Sequence, residues 1–318
     1  MASIFPLNAF SKGHTGIIRL AQDAAATGPT IAFPNFSYAL DVDEGNDYPL
    51  EIDSSSQYHD RVLGFVLGRL GLRGPVKLDR GFDVFLNNAF GPHVANGKLY
   101  PFIMTAIRAS QNAPLNYNGV WMDSLTLEGR FGTGGNVLML GSSANGMVAD
   151  PKNAFASSAL PPATAEGTPG VGLSSFAQAS VTNGAATTPV VYDGVRAFQV
   201  VFRNNLSPDP AAHASAPAGS RIIAGCTPSP FTGNVTLTQL LTPSNPLPMG
   251  GASLPLTLKI PSGDGSKTLT LDLSCSYDGE AESLVPNDYN SRSYRYTLLG
   301  TAANGTQTAN YQFAAAVA

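Results

Sequence analysis

The sequence predicts a mainly β protein built as two tandem domains, and three observations carry that prediction. Turn formers are abundant and charge is sparse, with 33 glycines, 24 prolines and only 13% charged residues in 318. That composition favours strands with tight connections over helices. Several stretches alternate apolar and polar residues, the period of a strand with one buried face. Finally, Val137 to Gly146 (VLMLGSSANG) returns half a chain later as Tyr296 to Gly305 (YTLLGTAANG), which points to a duplicated unit. The length suits two domains. The boundaries read as residues 1–150 for the first domain, 151–190 for an Ala/Pro/Gly-rich linker, and 191–318 for the second domain.

Taken in order, the first 30 residues read as an arm or an opening strand. Phe36 to Val42 alternates and predicts a half-buried strand. Asp41, Asp43, Glu44, Asp47, Glu51, Asp53 and Asp60 follow with no Lys or Arg until Arg61. Carboxylates crowded without a basic partner repel one another, so this segment predicts a solvated loop, either simply exposed or touching a partner surface. A calcium loop is disfavoured because the DxDxDG spacing is missing. Val62 to Asp79 is strand-like, broken by Gly64, Gly68, Gly71 and Gly74 and carrying Arg69 and Arg73. Phe82 to Phe90 has apolar residues at helical spacing and is stopped by Gly91-Pro92, so it predicts a short helix.

Tyr100 to Ile107 predicts a strand. Gly119 to Arg130 predicts another, with one slip of the alternation near Ser124, joined through a Gly-rich turn to a strand at Asn136 to Gly141. Residues 147–190 are mostly small residues and proline and predict a connection without a core. The second half then repeats the plan. Ala197 to Phe202 matches Ser37 to Val42. Gly233, Val235 and Leu237 fall opposite Gly74, Val76 and Leu78. Pro255 to Ile260, Thr268 to Cys275 and Arg292 to Leu299 supply the later strands. Three prolines between Leu241 and Ser253 stand where the helix would recur.

The same sequence excludes several functions. The formal net charge is −4, unlike a chain that grips nucleic acid through phosphates. No apolar run is long enough for a membrane helix. The first residues lack a basic region followed by an apolar one, so no secretion signal is predicted. Cys226 and Cys275 are then expected as buried free thiols. His14, His59, His93 and His213 stand far apart in the sequence, none at metal-ligand spacing. There is no GxSxG elbow, and the GTGG stretch lacks the ending and helix of a phosphate loop. No catalytic residue, cofactor or metal site is predicted. Trp121 reads as a core or interface anchor.

Three motifs, in order, carry a family resemblance: NGVWMDSLTLEG around Ser124 to Leu127, RAFQVVFRNNL from Arg196 to Leu206, and FTGNVTL from Phe231 to Leu237. With the Leu-Thr-Leu strands at 256 and 269, they make the chain resemble the tail tube proteins of long-tailed bacteriophages, in their two-domain form, over roughly residues 30–315. The 147–190 segment departs from that pattern.

The resemblance implies two β-sandwich domains with a flanking helix, each giving a hairpin to a continuous β-barrel around a channel. It implies rings of three chains stacked into a virion tail, made in the host bacterial cytoplasm. Its implied partners are further copies of itself, the tape measure protein and genome DNA in the lumen, and the tail terminator and distal tail or baseplate proteins. No membrane is involved. The tube-wall strands would include Arg69, Arg73, Val76, Leu78, Val235 and Leu237, with a proline at Val235 blocking assembly more than folding. The ring-to-ring contact would be the acidic loop with Asp41, Asp43, Glu44, Asp47, Glu51 and Asp53. The alternative is a two-domain β-sandwich adhesin or carbohydrate-binding protein, which the single Trp disfavours.

Overall fold

The computed structural model describes residues 17–22, 31–34, 37–43, 66–76, 78, 82–90, 101–107, 115–130, 141–148, 179–183, 188, 190–208, 225–228, 231–241, 244, 246–250, 254–283, 290–302, 309–311 and 314–318. In the first half they form β1 (Ile17–Gln22), β2 (Ile31–Pro34), β3 (Ser37–Asp43), β4 (Leu67–Pro75), α1 (Phe82–Phe90), β5 (Phe102–Ile107), β6 (Leu115–Arg130) and β7 (Gly141–Val148). The second half gives β8 (Ser180–Asn183), β9 (Val195–Arg203), β10 (Leu206–Pro208), β11 (Cys226–Pro228), β12 (Thr232–Leu240) and β13 (Leu254–Pro261). It continues with β14 (Thr268–Ser283), β15 (Ser291–Leu298), β16 (Gly300–Ala302), β17 (Ala309–Tyr311) and β18 (Ala314–Val317).

The strand pairing repeats. In the first half the neighbours run β3-β4-β7-β6-β5-β1, all antiparallel. In the second they run β9-β12-β15-β14-β13-β8, again all antiparallel. The repeat extends to an irregularity. The β6–β7 register slips between Met122 and Ser124, and the β14–β15 register slips between Tyr277 and Gly279. Laid on each other, Val120, Asp123 and Leu125 fall on Cys275, Asp278 and Glu280, so an aspartate sits at each bulge. A bulge inserts one residue and switches which face the following side chains take. In β6, Val120 and Met122 are buried before it and Leu125 and Leu127 after it. The slip of alternation near Ser124 is this bulge.

The two repeats are one sheet because β6 also pairs with β9, from Ser124↔Arg203 to Arg130↔Ala197. Strand β6 therefore serves β5 and then β9 along one edge, and β7 along the other. Helix α1 seals this junction. Its Phe82, Phe85, Leu86, Ala89 and Phe90 are all buried, the stripe that its helical spacing predicts. Phe85 packs on Phe102 at 5.9 Å, and Phe90 stacks on Phe202 of β9 at 6.0 Å. Each buried phenylalanine contributes roughly 1.5–3 kcal/mol. Asn87 Nδ2 donates to the Ala315 carbonyl of β18 at 2.8 Å, so the first-half helix also touches the last strand.

Several expectations shift. The strand expected at Asn136 to Gly141 is found as β7 from Gly141, and residues 131–140 lie outside the described residues. The repeated decapeptide does not superpose in the fold: its first copy ends inside β7, its second spans the end of β15 and β16. The register Leu70↔Leu40 in one half and Val235↔Val200 in the other makes Gly68, Leu70 and Leu72 the counterparts of Gly233, Val235 and Leu237. Gly74, Val76 and Leu78 are not. The segment 151–190 contains β8, whose Val181 is in the core and which pairs with β13, so its end is not a plain connection. Strand β12 is flanked by β9 and β15 within the same chain at Val235. A proline there breaks the chain's own sheet, contrary to the expectation that it would harm assembly more than folding.

Candidate assembly surface

Eight strands lie side by side in the order β3-β4-β7-β6-β9-β12-β15-β14, four from each half. One face of this sheet is apolar except at the end of β14, where Glu280 and Glu282 stand. Leu70, Leu72, Leu125, Leu127, Phe198, Val200, Phe202, Val235, Leu237, Tyr294 and Tyr296 are buried on it. Alternation sends the intervening residues to the opposite face. There Asp41, Asp43, Arg69, Arg73, Glu128, Arg203 and Arg295 are exposed. Asp123 and Asp278 stand at the two bulges, and Asp272 alternates with buried Leu271 and Leu273 on β14, so arginines and carboxylates are interspersed on this face among the described residues. A hollow of about 440 Å³ opens on this face, lined by Gln199, Arg203, Asn234, Thr236, Asp278 and Arg295. Such a surface is largely polar and carries charges of both signs.

The predicted site residues divide. Arg69 and Arg73 stand on the polar face of β4, and Val235 and Leu237 on the apolar face of β12. Val76 and Leu78 lie past the end of β4 and are buried core residues, so they are not part of a wall strand. Asp41 and Asp43 are not in a loop. They lie on β3, with Asp41 directly opposite Arg69 and Asp43 3.9 Å from the Arg69 guanidinium. The supposed lack of a basic partner fails because the partner comes from the neighbouring strand. At this exposure the pair is worth about 1 kcal/mol or less. Glu44, Asp47, Glu51 and Asp53 lie outside the described residues.

Sequence reasoning missed how the Asn-Asn-Leu motif works. Asn204 is fully buried, and its Nδ2 donates to the carbonyls of Ala89 and Met122, both at 2.7 Å. Its own N–H donates to the Asp123 carbonyl at 2.7 Å, and the Leu206 N–H donates to Asp123 Oδ1 at 2.8 Å. Between them Asn205 takes a positive φ of 48°, a conformation that asparagine tolerates. One short motif thus ties the end of α1, the first bulge and the end of β9. Trp121 is an anchor of a different kind from a core residue. It sits apart from the main core with Leu67, Leu206 and Cys226.

The second bulge has no such clamp among the described residues. Asp278 Oδ2 accepts from Thr297 Oγ1 at 2.5 Å. Where β6 carries buried Leu125 and Leu127, β14 carries Glu280 and Glu282, gathered by Arg292 at 3.5 and 2.9 Å. In place of α1, residues 246–250 follow β12 without helical structure. Leu247 is buried there and its N–H donates to Gln239 Oε1 at 3.0 Å, while Tyr296 OH donates to the Pro248 carbonyl at 3.2 Å. Both cysteines are free thiols, Cys275 buried and Cys226 half-buried rather than buried. Burial pushes the Cys275 thiol up to about 12, with a smaller push from Asp278. Among the described residues, no helix is long and apolar enough to cross a membrane, and no cluster of His, Cys, Asp or Glu could hold a metal.

No protein-family model matches the chain, and no curated protein sequence matches it either.

Proposed function

We propose that the chain is a structural subunit of a bacteriophage tail tube, with three copies closing a ring of six repeats and rings stacking into a hollow conduit for DNA. One observation carries this reading: two copies of one four-strand unit joined edge to edge in a single sheet, dry on one face and wet on the other. A sheet of that kind suits a wide barrel whose outer side is covered by packed elements and whose inner side faces water. Eight strands per chain give 24 in a ring of three. At about 4.8 Å between strands and a tilt of about 40°, the backbone barrel is roughly 50 Å across and its bore about 40 Å, wide enough for duplex DNA. Arginines interspersed with at least as many carboxylates would let phosphates pass without the tight, salt-dependent grip of a basic wall. The tape measure protein would occupy the same lumen during assembly, and terminator and distal tail proteins would cap the ends.

Electron microscopy of the purified full-length chain tests the reading. Rings or tubes with a bore near the above size, and a native mass of three chains per ring, are expected. Rings of six chains, or only monomers that bind glycans, would refute it.

A further inference from the structure

The internal join between β6 and β9 has a counterpart that the chain cannot satisfy by itself. Strand β14 repeats β6, and the edge that β6 gives to β9 is, on β14 from Gly279 to Ser283, without a strand neighbour among the described residues. Strand β3 repeats β9. The edge that β9 gives to β6 is likewise, on β3 from Tyr38 to Val42, without a strand neighbour among the described residues. An open, regular strand edge is a template for pairing with another chain. Here the shape of the right partner is written in the molecule, since the chain's own halves already make that contact.

We propose that β14 of one chain pairs antiparallel with β3 of a second copy, in the register of the internal join. The inference rests on the self-assembly part of the proposed function and not on the nature of the cargo. The register follows from the repeat. Leu125↔Phe202, Thr126↔Val201, Leu127↔Val200 and Glu128↔Gln199 become Glu280↔Val42, Ala281↔Asp41, Glu282↔Leu40 and Ser283↔Ala39. Ala281 and Asp41 fall on the polar face, where Ala281 pairs with Ser293 and Asp41 with Arg69.

What covers the join differs between the two cases. Phe90 of α1 lies over Phe202 inside the chain. The counterpart of Phe202 is Val42, and the segment in the place of α1 carries Met249, 55% exposed and 4.0 Å from Arg292. Met249 is an exposed apolar side chain at the position where the second copy's Val42 arrives half-buried. Glu280 and Glu282, held by Arg292, put charge on the face where the internal join has leucines. Inward-pointing charge on an edge strand discourages indiscriminate pairing. It also makes this join weaker than the internal one, so chains separate here first.

Cysteine pairs in the full-length chain test the register. Facing residues of an antiparallel pair have Cα atoms about 4.5–5.5 Å apart, within disulfide reach. A chain carrying Ala281→Cys and Asp41→Cys, oxidised mildly, should give covalent multimers on a non-reducing gel. Mixed single variants should stop at dimers. The pair Ala281→Cys with Leu40→Cys, aimed at opposite faces, should give roughly tenfold less product. The unsubstituted chain sets the background from Cys226 and Cys275. Met249→Asp, at an exposed site, should leave the monomer folded by circular dichroism and weaken association in sedimentation. Product confined to monomers, equal yields from the two pairs, or unchanged association of Met249→Asp would overturn the join. Cross-linked chains that form no hollow tube would leave the join standing and remove the tube reading. Tubes without the Ala281–Asp41 link would do the reverse.

Discussion

Replacing Asn204 should cost far more than an ordinary surface polar change. The Asn204 amide makes two donations, each 2.7 Å, to carbonyls that have no solvent to fall back on. Asn204→Ala removes both donors and strands the carbonyls of Ala89 and Met122. A stranded buried acceptor costs about 1–3 kcal/mol, so two of them cost roughly 2–4 kcal/mol once partial hydration of the vacated space is allowed for. Asn204→Asp keeps the shape but aims a carboxylate oxygen at two carbonyl oxygens in a buried site. It should be worse than alanine, because the charge must be buried or neutralised by taking up a proton. Urea unfolding of the dilute full-length chain, followed by circular dichroism, reads both values. Both variants lying within about 0.5 kcal/mol of the parent, the range of an ordinary surface change, would refute the clamp. An aspartate variant more stable than the alanine variant at neutral pH would refute the donor assignment.

Three more outcomes follow from the same packing. A Cβ on Gly146 would lie 2.6 Å from the Trp121 carbonyl oxygen, so Gly146→Ala should destabilise by about 1–3 kcal/mol; Gly225→Ala, with nothing within 4 Å, should change stability by no more than about 0.5 kcal/mol in the same urea titration. Val235→Pro should abolish cooperative unfolding of the monomer itself, since β12 is paired on both sides; a folded Val235→Pro monomer in circular dichroism would contradict the topology. The native chain should give one reactive thiol, Cys226, with a thiol reagent at neutral pH, and two after denaturation. Because the folded Cys275 thiol holds its proton up to about 12 while the unfolded thiol loses it near 9.0, its stabilisation is full below pH 9 and is lost between those values as pH rises. Cys275→Val should flatten that part of the alkaline stability profile relative to the parent.

The parts of the fold legible in the sequence are those that local alternation encodes. Phe82–Phe90 is the helix that its apolar spacing announces. The slip near Ser124 is a bulge, and the alternating runs at Phe36 to Val42 and Ala197 to Phe202 are strands β3 and β9. What alternation does not encode is which edge meets which. Nothing local in Ser124 to Arg130 says that its partner lies on β9, beyond a long connection. The decapeptide repeat suggested duplication through a register that the fold does not use. Pairing order and the two bulges carry the repetition, and beyond the aspartate at each bulge it is hardly visible as residue identity, since Leu125 and Leu127 have become Glu280 and Glu282. The Asn-Asn-Leu motif was visible as a pattern, but its clamp needs three elements that meet only in the folded chain.

The fused join between β6 and β9 also sets a counting rule. Its strands are covalently one molecule and sealed by α1, so it neither forms nor breaks by collision. Every dissociation, exchange or growth step must therefore move two repeats at a time. Any closed array of this chain holds an even number of repeats, and its symmetry is half of what the backbone suggests. Around such an array dry and charged seams alternate, so a cut through it never leaves a lone repeat with both of its edges exposed.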